Sequence, residues 1–121
     1  MADPIFDTNI VADWLRQRRQ AAAELERYKR HRISRITWTE ILAGEPLETR
    51  HHVQGLIAPF EIVEVDSRIS MAAADIRYRT RMKLLDALIL ATAQVNGAIL
   101  VTRNTKDFPA NMPGIRVPYI L

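Results

Sequence analysis

Cysteine is absent from this 121-residue chain, which removes disulfide scaffolding, thiol catalysis and thiolate-bound zinc from consideration. Histidine is nearly as scarce. Two of the three form the adjacent pair His51-His52, which would point about 100° apart on a helix, and no His-x-x-x-His spacing occurs. No apolar run approaches the roughly 18 residues of a membrane span. The opening MADPIFDTN carries two acids and no basic segment, so no signal peptide is expected and the expected location is cytoplasmic. Walker A, nucleophile-elbow and dinucleotide glycine patterns are also missing. At 48% hydrophobic residues the chain can still bury a core, and its length fits one domain, residues 1–121, but not two.

What is present is organised around Leu84 to Phe108. Ala87 to Val95 is an almost wholly apolar run, too long for an ordinary strand and closed by Asn96-Gly97, which predicts a helix buried on most sides. Asp86 stands at its N-terminus. Ala98 to Val101 is short and uninterrupted, as expected of a strand covered on both faces of a parallel sheet, and Thr102, Asn104 and Asp107 follow it directly. Ligands of open α/β sheets collect beyond the carboxyl ends of strands. A plainer account makes Asp86 an N-cap, with Leu85 stapled against Leu90.

The remaining elements alternate. Pro4-Ile5-Phe6 predicts a first strand ending at Asp7, with Thr8 or Asn9 capping a helix through Ile10, Val11, Trp14 and Leu15. A second helix is expected from Gln20 to His31, a second strand from Ile33 to Ile36, and then a helix opened by a capping box of Thr37 and Glu40. Pro46 to Ile57 reads as an exposed helix and Glu61 to Val65 as a strand. Asp66-Ser67 caps a helix from Arg68 to Lys83 with Ile69, Ala73, Ile76 and Thr80 on one face, and Ile115 to Val117 offers a last strand. The expected fold is α/β, with a mostly parallel sheet of four or five strands flanked by helices.

Asp7, Glu40, Asp86 and the Asn104/Asp107 pair each fall at a strand end or near a helix start, and a parallel sheet can gather such ends at one edge. Converging carboxylates raise one another's pKa unless a counter-charge is supplied. Oxygen donors without cysteine or clustered histidine favour Mg²⁺ or Mn²⁺, and such ions support phosphoryl chemistry. The net charge is +3, yet eight of the 17 Lys and Arg lie between Arg16 and Arg35, and Arg77, Arg79, Arg81 and Lys83 lead into Asp86. Either cluster suits a polyanion, and either is equally consistent with a solvated helix face carrying pairs such as Glu26 to Arg30.

Four motifs in order, Asp7-Thr8-Asn9, Ser34-x-x-Thr37-x-x-Glu40, the run DALILATA from Asp86 to Ala93, and LVTRNTKDF from Leu100 to Phe108, resemble a PIN domain, and within that family the VapC-type ribonuclease toxins. The resemblance covers essentially the whole chain. It implies a Mg²⁺-dependent endoribonuclease acting on RNA, inhibited by a VapB-type antitoxin, and usually a homodimer. By motif, Asp7, Glu40 and Asp86 match the acidic core, and Thr8 matches the hydroxyl that follows the first acid. Many relatives carry Asp where Asn104 stands, so Asp107 is expected to be the fourth acid and Asn104 an orienting group or metal ligand, with Thr102 in support.

Two other readings compete. A phosphatase with an aspartate nucleophile would want a second Asp two residues after Asp7, where Asn9 stands. A non-catalytic PIN-like module would bind nucleic acid or protein through its arginines and would gain nothing from a divalent ion.

Overall fold

Two neighbouring residues explain the layering. In the computed structural model, which describes residues 3–121, Ile5 and Phe6 form the central strand β1 (Ile5–Phe6) and both are fully buried. Successive strand side chains point to opposite faces. Ile5 enters a core with Leu100 on one side of the sheet, and Phe6 enters a second core with Val101 on the other. Met1 and Ala2, the start of the expected 1–121 domain, lie outside the described residues.

Two helices, α1 (Thr8–Leu15) and α2 (Arg19–Glu26), carry the chain from β1 to β2 (Arg32–Ser34). Next come α3 (Arg35–Ala43), α4 (Leu47–Ile57), β3 (Glu61–Val63), α5 (Ser67–Thr80), α6 (Leu84–Val95), β4 (Leu100–Val101) and β5 (Ile115–Arg116). The five strands lie in the order β3-β2-β1-β4-β5, and every neighbouring pair is parallel. The expected α/β architecture therefore holds, with five parallel strands and six flanking helices among the described residues. Because β2 and β3 extend the sheet to one side of β1 while β4 lies on the other, the chain changes direction across β1 and β4. That switch point fixes where the site sits.

One core collects Ile10 and Val11 of α1, Ile41 and Leu42 of α3, and Val53 and Ile57 of α4 around Phe6. The other brings Ile69, Ala73 and Ile76 of α5 against Ala87, Leu90 and Ala91 of α6, where the alanines allow the helices to approach closely. Each fully buried Ile, Leu or Phe contributes about 1.5–3 kcal/mol. Helix α6 stops as its sequence predicts: Gly97 takes φ +61°, Ala98 N–H donates to the Ala93 carbonyl at 2.9 Å and Gly97 N–H to that of Gln94 at 3.2 Å. This is a Schellman ending, for which a residue without Cβ is preferred.

Several helix starts differ from expectation. Asp7 itself caps α1, accepting from Thr8 N–H at 2.7 Å, in place of Thr8 or Asn9. Helix α3 begins a turn early, capped by Ser34, whose Oγ accepts from Ile36 N–H at 3.0 Å, so Thr37 and Glu40 form no capping box. Helix α6 starts at Leu84, which places Asp86 inside its first turn and removes the N-cap account of that residue. Leu85 is exposed, so it does not staple onto buried Leu90. Asp66 caps α5 as expected, accepting from Ile69 N–H at 2.9 Å, but the helix ends at Thr80, which is exposed. Helix α4 is anchored by buried Val53 and Ile57, where an exposed helix was expected.

Candidate active site

The carboxyl ends of β1 and β4 lie side by side, and the residues that leave them meet at once. Asp7 follows β1 and is only 4% exposed. Thr102, which follows β4 and is fully buried, donates its hydroxyl to Asp7 Oδ2 at 2.7 Å. Asn9, in the first turn of α1, donates to both Asp7 Oδ2 and Thr102 Oγ1 at 3.3 Å and accepts from Arg103 N–H at 3.2 Å. With the Thr8 amide on Oδ1, the Asp7 carboxylate is held from several directions.

Glu40 reaches the same edge from α3. Thr8 Oγ1 donates to Glu40 Oε1 at 2.7 Å, and the hydroxyls of Thr8 and buried Thr37 are 3.0 Å apart. Thr8 thus orients the second acid from the residue next to the first. On the other side, Asn104 and Asp107 lock together: Asn104 Nδ2 donates to Asp107 Oδ2 at 3.0 Å, and Asp107 N–H donates to Asn104 Oδ1 at 3.2 Å. Asn104 N–H also donates to Thr102 Oγ1 at 3.0 Å. Asp86 stands half-buried between these groups at the start of α6.

The acids feel one another. Burial pushes the Asp7 carboxyl up to about 6 against the pull of its Thr102 and Thr8 hydrogen bonds, and Asp86 and Glu40 raise it further. Asp86 is also raised, first by burial and then by Asp107 and Glu40, while Lys83 opposes the shift. A hard divalent cation is the natural relief for such an all-oxygen set. Among the described residues, however, no three acidic or histidine side chains are grouped closely enough to hold one ion. The oxygens are instead spread around the crevice. Asp7 is occupied by Thr8, Thr102 and Asn9, Glu40 by Thr8, and Asp107 by Asn104. The donor chemistry fits Mg²⁺ or Mn²⁺, and half-exposed Glu40 and Asp86 are the side chains with room to close on it.

The two basic clusters behave differently. In the first, Arg30 makes a two-pronged contact with Glu61 and a bond to Asp3 in place of a pair with Glu26, and Arg35 pairs with Glu64 while lying 4.7 Å over Trp38. In the second, exposed Arg77 donates to the carbonyls of Arg81 at 2.6 Å and Met82 at 3.1 Å. Arg79, Arg81 and Lys83 remain exposed.

Three further residues were given no site role by the sequence patterns, although Asn9 lies in the first motif. Asn9 is the bridge between Asp7 and Thr102. Asp13, 1% exposed, binds Arg103 at 2.6 and 2.9 Å and accepts from Tyr119 at 2.8 Å, tethering the loop after β4 to α1. Lys106 stands in that loop beside Asp107. The partners of Asp13 lie 90 and 106 positions away, so only a known fold could have paired them.

The PIN domain family matches residues 5–111. A chain of a toxin-antitoxin complex from Klebsiella pneumoniae is 37% identical, with a TM-score of 0.90 over 98% of this chain and 100% of that one. A chain of the DNA-bound VapBC complex from Salmonella typhimurium is 25% identical, with a TM-score of 0.79 over 96% of each chain. FitAcB from Neisseria gonorrhoeae, at 22% identity and a TM-score of 0.80 over 98% and 99%, shares the fold. No curated protein matches. The likeness read from four short motifs thus extends to the fold over nearly the full length, and the chain belongs to the PIN domain family.

Proposed function

We propose that this chain is the toxin of a toxin-antitoxin pair, a Mg²⁺- or Mn²⁺-dependent endoribonuclease of the VapC type. The observation that carries the proposal is Asp7: a carboxylate buried at the switch point, pushed up to about 6, with Glu40 and Asp86 as like-charged neighbours. Stability alone gives no reason to bury and crowd acids in this way, whereas holding a cation does. Asp7, Glu40, Asp86 and Asp107 would hold the ion, with Asn104 as a neutral oxygen donor; when bound it supplies water activation and charge neutralisation at the leaving oxygen. Thr102 and Asn9 fix the Asp7 carboxylate, Thr8 fixes Glu40, and Asn104 fixes Asp107, so that three of the four acids are oriented before substrate arrives.

An antitoxin partner of the VapB type is supported by the Klebsiella pneumoniae and Salmonella typhimurium complexes. A groove of about 330 Å³ runs from Thr8 and Glu40, two groups of the site, past Leu15, Ile41, Val53 and Leu56, with Arg16 and Glu45 also on its wall. An inhibitory segment laid there would cover the acids. Pairing of two copies and a cytoplasmic location belong to the same proposal; among the described residues no helix is long and apolar enough to cross a membrane.

The test is cleavage of a total-RNA mixture by the purified chain with Mg²⁺ or Mn²⁺, beside EDTA and an identically prepared Asp86→Asn variant. Discrete fragments from the wild type alone support the enzyme. The second reading, a non-catalytic binding module, draws on the spread of the acids and the neutral Asn104. It requires that neither ion raises the melting temperature, whereas a bound ion at 100 times its Kd stabilises by about 2.7 kcal/mol.

A further inference from the structure

We propose that the hollow between the α5–α6 turn and the loop after β4 is a one-nucleotide subsite for single-stranded RNA. Lys106, Lys83 and Arg81 would hold the phosphate, and Met82, Pro109 and Met112 would lie under the base. This rests on the ribonuclease reading and adds to it the place where a nucleotide next to the cleaved bond is held.

The hollow measures about 420 Å³, and Asp107 forms part of its wall, so it adjoins the acidic site at that residue. Three cations line it. Among the described residues, ion pairs are made by Arg27, Arg30, Arg35, Arg68, Arg103 and Arg116, and none by Arg81, Lys83 or Lys106. The cationic side chains beside the acids are therefore free of ion pairs, whereas Arg27, Arg30 and Arg35 of the first basic cluster are paired.

Both walls are fixed. The Arg77 guanidinium holds the Arg81 and Met82 carbonyls, Met82 N–H donates to Thr80 Oγ1 at 3.1 Å, and Arg81 is kept at φ +63°. Arg77 thereby braces the turn. Across the hollow, Phe108 N–H donates to the Asn104 carbonyl at 3.0 Å and Met112 N–H to that of Pro109 at 2.9 Å. Met82 and Met112 are packed on the second core and offer a partly exposed apolar floor. A cationic rim over an apolar floor matches a phosphate joined to an unstacked base. A duplex, whose bases are stacked inside, would not present one.

Anisotropy of a fluorescein-labelled, mixed-sequence single-stranded RNA 12-mer tests this, using Asp86→Asn as the cleavage-dead parent. Lys106→Ala in that parent is expected to weaken binding about tenfold at low salt and to lower the salt slope by about one. Lys29→Ala, an equal charge loss at exposed Lys29 in the first cluster, should change Kd less than about twofold. Equal effects of the two substitutions, or a parent that does not bind, would overturn the subsite. Wild-type cleavage assayed alongside separates the two failures. Discrete cleavage with no special role for Lys106 sinks the subsite alone, whereas neither binding nor cleavage sinks both.

Discussion

Thr102 donates its hydroxyl to Asp7 across the junction of β4 and β1 at 2.7 Å, and that one bond joins the two strand ends between which the site opens. It also lowers the Asp7 pKa against the larger upward push of burial. Thr102→Val preserves shape and removes this bond together with the acceptor for Asn104 N–H and the Asn9 amide. The variant should lose about 1–3 kcal/mol of stability at pH 8, where an ionised buried carboxylate is left short of a donor. The loss should shrink at pH 5, where Asp7 is protonated. Urea melts at the two pH values check this, and an equal loss at both would mean that Thr102 acts through its packing and its Asn104 and Asn9 contacts and not through the charge of Asp7.

Stability of the metal-free protein should fall as pH rises from about 4 to about 6. Asp7 is held above its ordinary value of 3.8, so across that window the folded state keeps a proton that the unfolded state has released. A shift to about 6 corresponds to about 3 kcal/mol, present in full below the window and lost above it. Asp13 works in the opposite direction and in a different range. Arg103 and Tyr119 hold it below 3.8, so its contribution is present above that value and disappears in stronger acid. Asp7→Asn should flatten the decline between pH 4 and 6 and leave the acid limb in place.

The pair formed by Arg103 and Asp13 leads to a separation of fold from function. Arg103→Met leaves the buried Asp13 carboxylate with Tyr119 as its remaining hydrogen-bond donor, a cost of about 2 kcal/mol. It also frees the loop that carries Asn104, Lys106 and Asp107. Thermal melts should therefore show a modest loss, while the concentration of Mn²⁺ needed for half-maximal stabilisation rises severalfold. Arg103→Lys should recover part of the stability and little of the ion affinity, because an ammonium cannot reproduce the two-pronged geometry.

Most of this architecture is legible in the sequence because short apolar runs and helical periodicity report burial directly. Ala98 to Val101 and Pro4 to Phe6 each contain a strand, and the Asn96-Gly97 stop lies where it was read. Helix starts were less legible. Ile33 to Ile36 is rich in β-branched residues and looks extended, yet Ser34 caps a helix that takes Ile36 and Thr37 into its first turn. Asp86 looked like a cap because aspartate favours that position, but α6 begins at Leu84 after Lys83, which makes no side-chain cap bond. The tethers that shape the site were invisible. Asp13 and Glu24 look like surface acids, and only folding brings them to Arg103 and Arg116.

Asn104 gives the sharpest test of how the acids are balanced. Its amide donates to Asp107 Oδ2 and its carbonyl accepts from the Asp107 amide, so one side chain satisfies the fourth acid without adding charge. Asn104→Asp exchanges that donor for a like charge beside Asp107 and close to Asp86. Without metal, the variant should be about 1 kcal/mol less stable at pH 8, with the deficit closing at about pH 4, where a protonated carboxyl donates again. With Mg²⁺ the order should reverse, since an added carboxylate strengthens an oxygen site for a hard cation. Melting temperatures at both pH values, with and without Mg²⁺, read the crossing. A variant whose deficit is the same in all four conditions would place Asn104 in the loop's structure and outside the ion's reach.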